Sequence, residues 1–136
     1  MRDVGRWLER LVLEAEFAPE DARSLAVAFG ETCANVHRHA YGGSSDGRVE
    51  IRVAIDDERV VVTVTHEGAP FDPTAYEPPD LKRPSEAGYG VYLIQSLVDA
   101  VSFERGTSGG RIVLIKLKNR AAVLDAPASR GFHVGD

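Results

Sequence analysis

The chain has only one cysteine, so no disulfide can close within it, and Cys33 falls among the apolar positions of a helical pattern. A small core residue is the expected role there, with a nucleophile the weaker reading. Positive charge is also in short supply. Sixteen Lys and Arg against 21 Asp and Glu leave a net charge of −5, which argues against a nucleic-acid partner held by electrostatics. There is no long apolar run, signal-peptide pattern or lipidation motif. A cytoplasmic protein without a membrane partner is the expectation. The four histidines show no zinc-like spacing. What remains is a globular composition in 136 residues, enough for one domain with a real core and too few for two.

Glu31 to Gly42, ETCANVHRHAYG, is the most informative stretch. Glu31, Asn35 and His39 recur every four residues, so they share one slowly rotating stripe of a helix. Leu25, Phe29, Thr32, Cys33, Val36 and Ala40 supply the apolar stripe beside it. A carboxylate, an amide and an imidazole next to a core face are costly without partners or a ligand.

Around that helix the chain reads in order. Asp3–Glu16 has the spacing of an amphipathic helix, with Trp7 on its packing side. The second helix starts near Glu20, after Pro19, and stops at Gly42-Gly43. Val49–Ile55 and Arg59–Thr65 alternate as two strands joined by a turn at Asp56-Asp57-Glu58. His66-Glu67-Gly68 then reads as the turn that follows. Thr74–Glu86, with Pro78, Pro79 and Pro84, has no apolar period, and a long irregular segment in a small domain points to a lid. Gly88-Tyr89-Gly90 opens a third helix that carries Val91 and Ile94. Val101–Arg105 and Arg111–Lys118 are two more strands around a Gly106–Gly110 turn. Residues 119–136 offer little to bury and are expected to be a flexible tail behind a single domain of residues 1–118. Strands in pairs, without regular strand–helix alternation, give an α+β two-layer sandwich with helices on one face of a mixed or antiparallel sheet.

Alone, Gly88-Tyr89-Gly90 fits an ordinary loop-to-helix junction, and Gly68 an ordinary turn. Their combination with the helix stripe is more specific. In order and spacing, Glu31-x-x-x-Asn35-x-x-x-His39-Ala40-Tyr41, the Gly68 turn with Pro70-Phe71-Asp72-Pro73, and Gly88-Tyr89-Gly90-Val91-Tyr92-Leu93-Ile94 resemble the three motifs of the GHKL (Bergerat) ATP-binding fold. The likeness is greatest to the small bacterial anti-sigma-factor serine kinases. It covers nearly everything up to Lys118.

The resemblance implies ATP and Mg²⁺ as cofactors. It makes Glu31 the general base and Asn35 the magnesium ligand, and puts His39 near the phosphates. It also implies nucleotide-binding roles for His66, Gly68, Phe71, Gly88, Tyr89, Gly90 and Val91, with residues 74–87 as the ATP lid. The implied function is a protein serine/threonine kinase whose partners are a sigma factor and the antagonist it phosphorylates.

Two departures accompany it. His66 stands where the family's second motif begins with an aspartate that accepts a hydrogen bond from the adenine amino group. A neutral imidazole can accept that bond and a protonated one cannot. Loss of a charge-assisted bond costs about 1.5–3 kcal/mol. The alternative function is therefore a GHKL-fold protein-binding switch with weak ATP binding or none. Secondly, the family's strand before the first helix has no counterpart after Met1. Either the sheet lacks an edge strand, leaving pairing into a homodimer open, or the numbered chain starts inside a longer one.

Overall fold

The computed structural model describes residues 2–40, 48–68, 86–106, 108–118 and 133–135. The chain runs α1 (Arg2–Glu14), α2 (Pro19–Ala40), β1 (Val49–Ile55), β2 (Arg59–Glu67), α3 (Glu86–Leu97), β3 (Ala100–Arg105), β4 (Gly109–Leu117) and β5 (His133–Gly135). The sheet order is β1-β2-β4-β3-β5, antiparallel throughout except that β5 joins β3 in parallel. Helices cover one face, with α2 packed between α1 and α3. The expected α+β two-layer sandwich is the architecture found.

Alternation in the strands builds the core. Val60, Val62 and Val64 of β2 are fully buried toward the helices, level with Leu114 and Ile112 of β4. Val101 and Phe103 continue these rows into β3. Leu25, Phe29 and Val36 of α2 close over them. Cys33 belongs to this core, and burial pushes its thiol up to about 11, so it is not a thiolate at neutral pH. Thr32, also fully buried, donates its hydroxyl to the Ala28 carbonyl at 2.8 Å.

Local signals set the ends of the elements. α1 closes with Glu16 in the left-handed region, φ 67°, where Phe17 N–H reaches Val12 O at 3.3 Å and Glu16 N–H reaches Leu13 O at 3.0 Å. Those two bonds make a Schellman ending that turns Phe17 into the core. The β1–β2 turn is where the sequence puts it. Asp56 Oδ1 accepts the N–H groups of Glu58 and Arg59 at 2.7 and 2.9 Å. Two lysines at the end of β4 fasten the helix ends to the sheet. Lys116 Nζ donates to Leu97 O at 3.0 Å and lies 3.9 Å from Asp21, while Lys118 Nζ donates to Ala15 O at 3.2 Å. A cation at a helix C-terminus is favoured by the dipole.

The structure departs from the sequence reading at four places. Trp7, expected on the packing side of α1, is 45% exposed, and Leu8 and Val12 are the buried residues of that helix. β2 runs on through His66 and Glu67, so His66 is a strand residue and not part of the turn. β4 begins at Gly109, inside the stretch read as a turn. His133–Gly135, within the expected tail, is a strand on β3. Of the expected lid, residues 74–85 lie outside the described residues, and Glu86 and Ala87 are the first two residues of α3.

Candidate active site

α2 carries Glu31 and Asn35 one turn apart on the face that meets α3. Asn35 is only 4% exposed, and its Nδ2 is buried with no hydrogen-bond partner among the described residues. A buried amide left unpaired costs about 1–3 kcal/mol, so its presence at this depth calls for a ligand. Glu31 is half-buried beside it. Across from both stands Gly90 in α3. A Cβ added there would lie 2.9 Å from Glu31 Oε2, 3.4 Å from Asn35 Oδ1 and 3.5 Å from Asn35 Nδ2. The missing side chain of Gly90 is the space that the carboxylate and the amide share. Val91, next in α3, is buried in the core and anchors that turn of the helix.

Gly88 and Tyr89 lie in the first turn of α3, where N–H groups have no intrahelical acceptor and the dipole favours an anion. His39 follows Asn35 by one turn on α2, with its side chain outside the described residues. Phe71 is outside them altogether. Gly68 adopts φ 86°, which favours glycine, and its N–H donates to Ser108 O at 3.0 Å. That bond ties the end of β2 to the β3–β4 hairpin.

His66 belongs to a second cluster. It is 4% exposed and faces the helices, in line with Val60, Val62 and Val64. Its Nδ1 lies 3.0 Å from the Glu67 carbonyl. A carbonyl only accepts, so Nδ1 is the donor in this contact and, in the neutral form of the ring, Nε2 is left as an acceptor. Glu67 is exposed on the other face of the sheet from His66, as alternation requires. Opposite His66 in β4 is Gly110, where a Cβ would come 2.9 Å from His66 Nε2. The imidazole sits over the bare backbone of that glycine. Together they border a cleft of about 450 Å³ that also includes Arg105, Gly106, Ser108 and Gly109; neither Glu31 nor Asn35 is among its lining residues.

Sequence reasoning takes Gly109 and Gly110 only as turn residues. The repeated glycine is the available signal, but its meaning depends on what lies across the strand. A Cβ on Gly109 would meet His66 O at 2.0 Å and Glu67 Cα at 2.9 Å, both backbone atoms. Gly109→Ala is therefore expected to destabilise the fold by about 1–3 kcal/mol, measured by urea unfolding.

No group of three or more His, Cys, Asp or Glu that could hold a metal occurs among the described residues. The donor set nonetheless fits Mg²⁺, which takes one or two protein oxygens and completes its shell with phosphates and water. Asn35 Oδ1, at the Gly90 gap and with its amide nitrogen unengaged, offers such an oxygen.

Residues 1–116 match the model of the histidine kinase-like ATPase domain. The chain belongs to this family. Among curated members, serine-protein kinase RsbW of Bacillus pumilus (strain SAFR-032) is 32% identical over 117 residues, covering 76% of this chain and 70% of that protein. The Bacillus subtilis (strain 168) protein of the same name is 32% identical over 108 residues, with 74% and 67% covered. These relatives support reading this histidine kinase-like ATPase as a serine/threonine kinase.

Solved structures agree on the fold. Mycobacterial sensor histidine kinase MprB matches with a TM-score of 0.52 at 18% identity over 72% of each chain. The blue-light activated histidine kinase of Erythrobacter litoralis EL346 matches with a TM-score of 0.58 at 21% identity. The match covers 79% of this chain and only 33% of the kinase. Among the described residues no helix is long and apolar enough to cross a membrane.

Proposed function

We propose that the protein is a Mg-ATP-dependent serine/threonine kinase of the anti-sigma type, acting in the cytoplasm. In this reading it binds a sigma factor and phosphorylates an antagonist protein that competes for it. The observation that carries the proposal is the Gly90 gap, which sets the Glu31 carboxylate and the Asn35 amide side by side. Phosphoryl transfer needs positioning and charge neutralisation more than covalent help from the protein, so few groups suffice. Glu31 takes the proton of the attacking serine or threonine hydroxyl as its oxygen bonds to the γ-phosphorus and ADP leaves. Asn35 Oδ1 would hold Mg²⁺, whose charge offsets that of the phosphates. The first turn of α3, with Gly88 and Tyr89, offers N–H groups to phosphate oxygens. Incubation with γ-labelled ATP and a cognate antagonist tests the assignment: labelled phosphoserine or phosphothreonine is expected, and no transfer to a verified partner would refute it.

His66 favours a second reading, in which the scaffold binds a protein partner and has given up the nucleotide. Against this stands the acceptor character of Nε2, which leaves the ring able to meet an adenine amino group as a carboxylate does. A neutral acceptor makes the weaker bond. His66→Asp is accordingly expected to tighten ATP binding by roughly ten- to a hundred-fold from a measurable starting affinity in calorimetry. Binding found only in the aspartate variant would instead favour the partner-binding module.

A further inference from the structure

The cleft beside His66 is walled on the β4 side by residues with small side chains or none. Gly106, Ser108, Gly109 and Gly110 all line it, and its volume of about 450 Å³ lies within the roughly 300–1,000 Å³ of small-molecule sites. His66 is the buried titratable group of this lining. Among the described residues, the hydrogen bond of its ring is made through Nδ1, to the Glu67 carbonyl at 3.0 Å. Nδ1 keeps its hydrogen in that bond whether the ring is neutral or charged. The variable is therefore the hydrogen on Nε2. Neutral, that nitrogen accepts; protonated, it donates. A Cβ at Gly110 would come 2.9 Å from Nε2, so the glycine leaves the nitrogen uncovered.

Purine bases differ in the same property. Adenine presents an amino donor on its six-membered ring where guanine presents a carbonyl acceptor. The neutral imidazole matches the first and the protonated imidazole the second. In either mismatch two acceptors or two donors oppose each other, and a buried polar pair goes unsatisfied. On the nucleotide-binding reading above, we propose that His66 selects the base, and that its protonation moves the preference from ATP toward GTP.

The other titratable groups near the ring are placed differently. Arg105 of β3 pairs in register with Gly110, while Glu67, Glu104 and Arg111 belong to the open side of the sheet, where Arg111 is bound to Glu104. β1 sets the apolar Val49 opposite His66. From α2 come Cys33, a thiol within the core, and Glu31, directed at the Gly90 gap. α3 turns Gly90 and Val91 inward, and neither titrates.

The test is a competition between ATP and GTP for the unaltered protein, with Mg²⁺, at about pH 6 and about pH 8. Both nucleotides carry the same triphosphate, so titration of the phosphates and of groups beside them cancels in the affinity ratio. ATP should be preferred at the higher pH, and the ATP-to-GTP ratio should fall by about ten-fold or more at the lower. Inosine triphosphate, with the carbonyl but without guanine's amino group, should follow GTP. Calorimetry in buffers of different ionisation heat should show proton uptake with GTP at the higher pH and none with ATP. In His66→Asn the amide offers a donor and an acceptor and does not titrate, so the ratio should hold constant with pH. If that variant does not fold, the proton uptake of the unaltered protein decides. A ratio constant with pH in the unaltered protein, inosine triphosphate following ATP, or a pH effect that persists in His66→Asn would overturn base selection alone. Absence of binding by every nucleotide would overturn it together with the kinase reading.

Discussion

Glu31→Gln is expected to leave Mg-ATP binding within a few-fold while reducing phosphoryl transfer by roughly 10²–10⁴-fold, the range associated with a positioned general base. Glutamine keeps the size of the side chain and one oxygen, so the gap opposite Gly90 stays filled as before. It cannot take a proton at neutral pH. Calorimetry and single-turnover label transfer, run on the same preparation, separate the two effects. Equal loss of both would make Glu31 a structural or binding residue. Unchanged transfer would remove it from the mechanism.

Gly90→Ala should split stability from activity in a different way. Gly90 lies within α3, where alanine is favoured over glycine by about 1 kcal/mol. The added methyl group would come 2.9 Å from Glu31 Oε2, the free end of a side chain that can swing aside. The fold therefore tolerates it, and the helix gains. The site does not tolerate it, because the carboxylate leaves its position and the Asn35 amide is crowded at 3.4–3.5 Å. A displacement near 1 Å at a reacting group costs about a hundred-fold. The expected outcome is an unchanged or higher melting temperature with transfer reduced by about two orders of magnitude. A variant that is both stable and fully active would mean that the Glu31–Gly90 contact is not part of the active site.

Much of this site is legible in the amino-acid sequence because helix periodicity is a strong signal. The four-residue spacing of Glu31 and Asn35 beside Phe29, Cys33 and Val36 fixes their common face, and α2 presents them accordingly. The alternation of Val60, Val62 and Val64 likewise fixes which side of β2 meets the helices. His66 falls in phase with them, but strand ends are weakly marked, and Glu67-Gly68 reads as a turn. Its burial depends on β4, a strand distant in sequence, which supplies Gly110 opposite it. The need for glycine at positions 109 and 110 is similarly invisible, since it comes from atoms of another strand. β5 is hidden for a further reason. Three residues carry no period, and a parallel edge pairing leaves little mark on composition.

The β5 pairing covers the outer side of β3 among the described residues. Part of the sequence read as a tail supplies the covering strand beside β3. The helix layer and the Glu31–Asn35–Gly90 cluster do not depend on it, as they are held by α2, α3 and the core.

The central claim is that Glu31, Asn35 and Gly90 form a magnesium–nucleotide site. Calorimetric titration of the unaltered protein with ATP, in the presence and absence of Mg²⁺, tests it most directly. Saturable binding at one site per chain is predicted, strengthened by Mg²⁺, with the Mg²⁺ dependence lost in Asn35→Ala. Absence of heat and of competition with a fluorescent ATP analogue at millimolar nucleotide would contradict it.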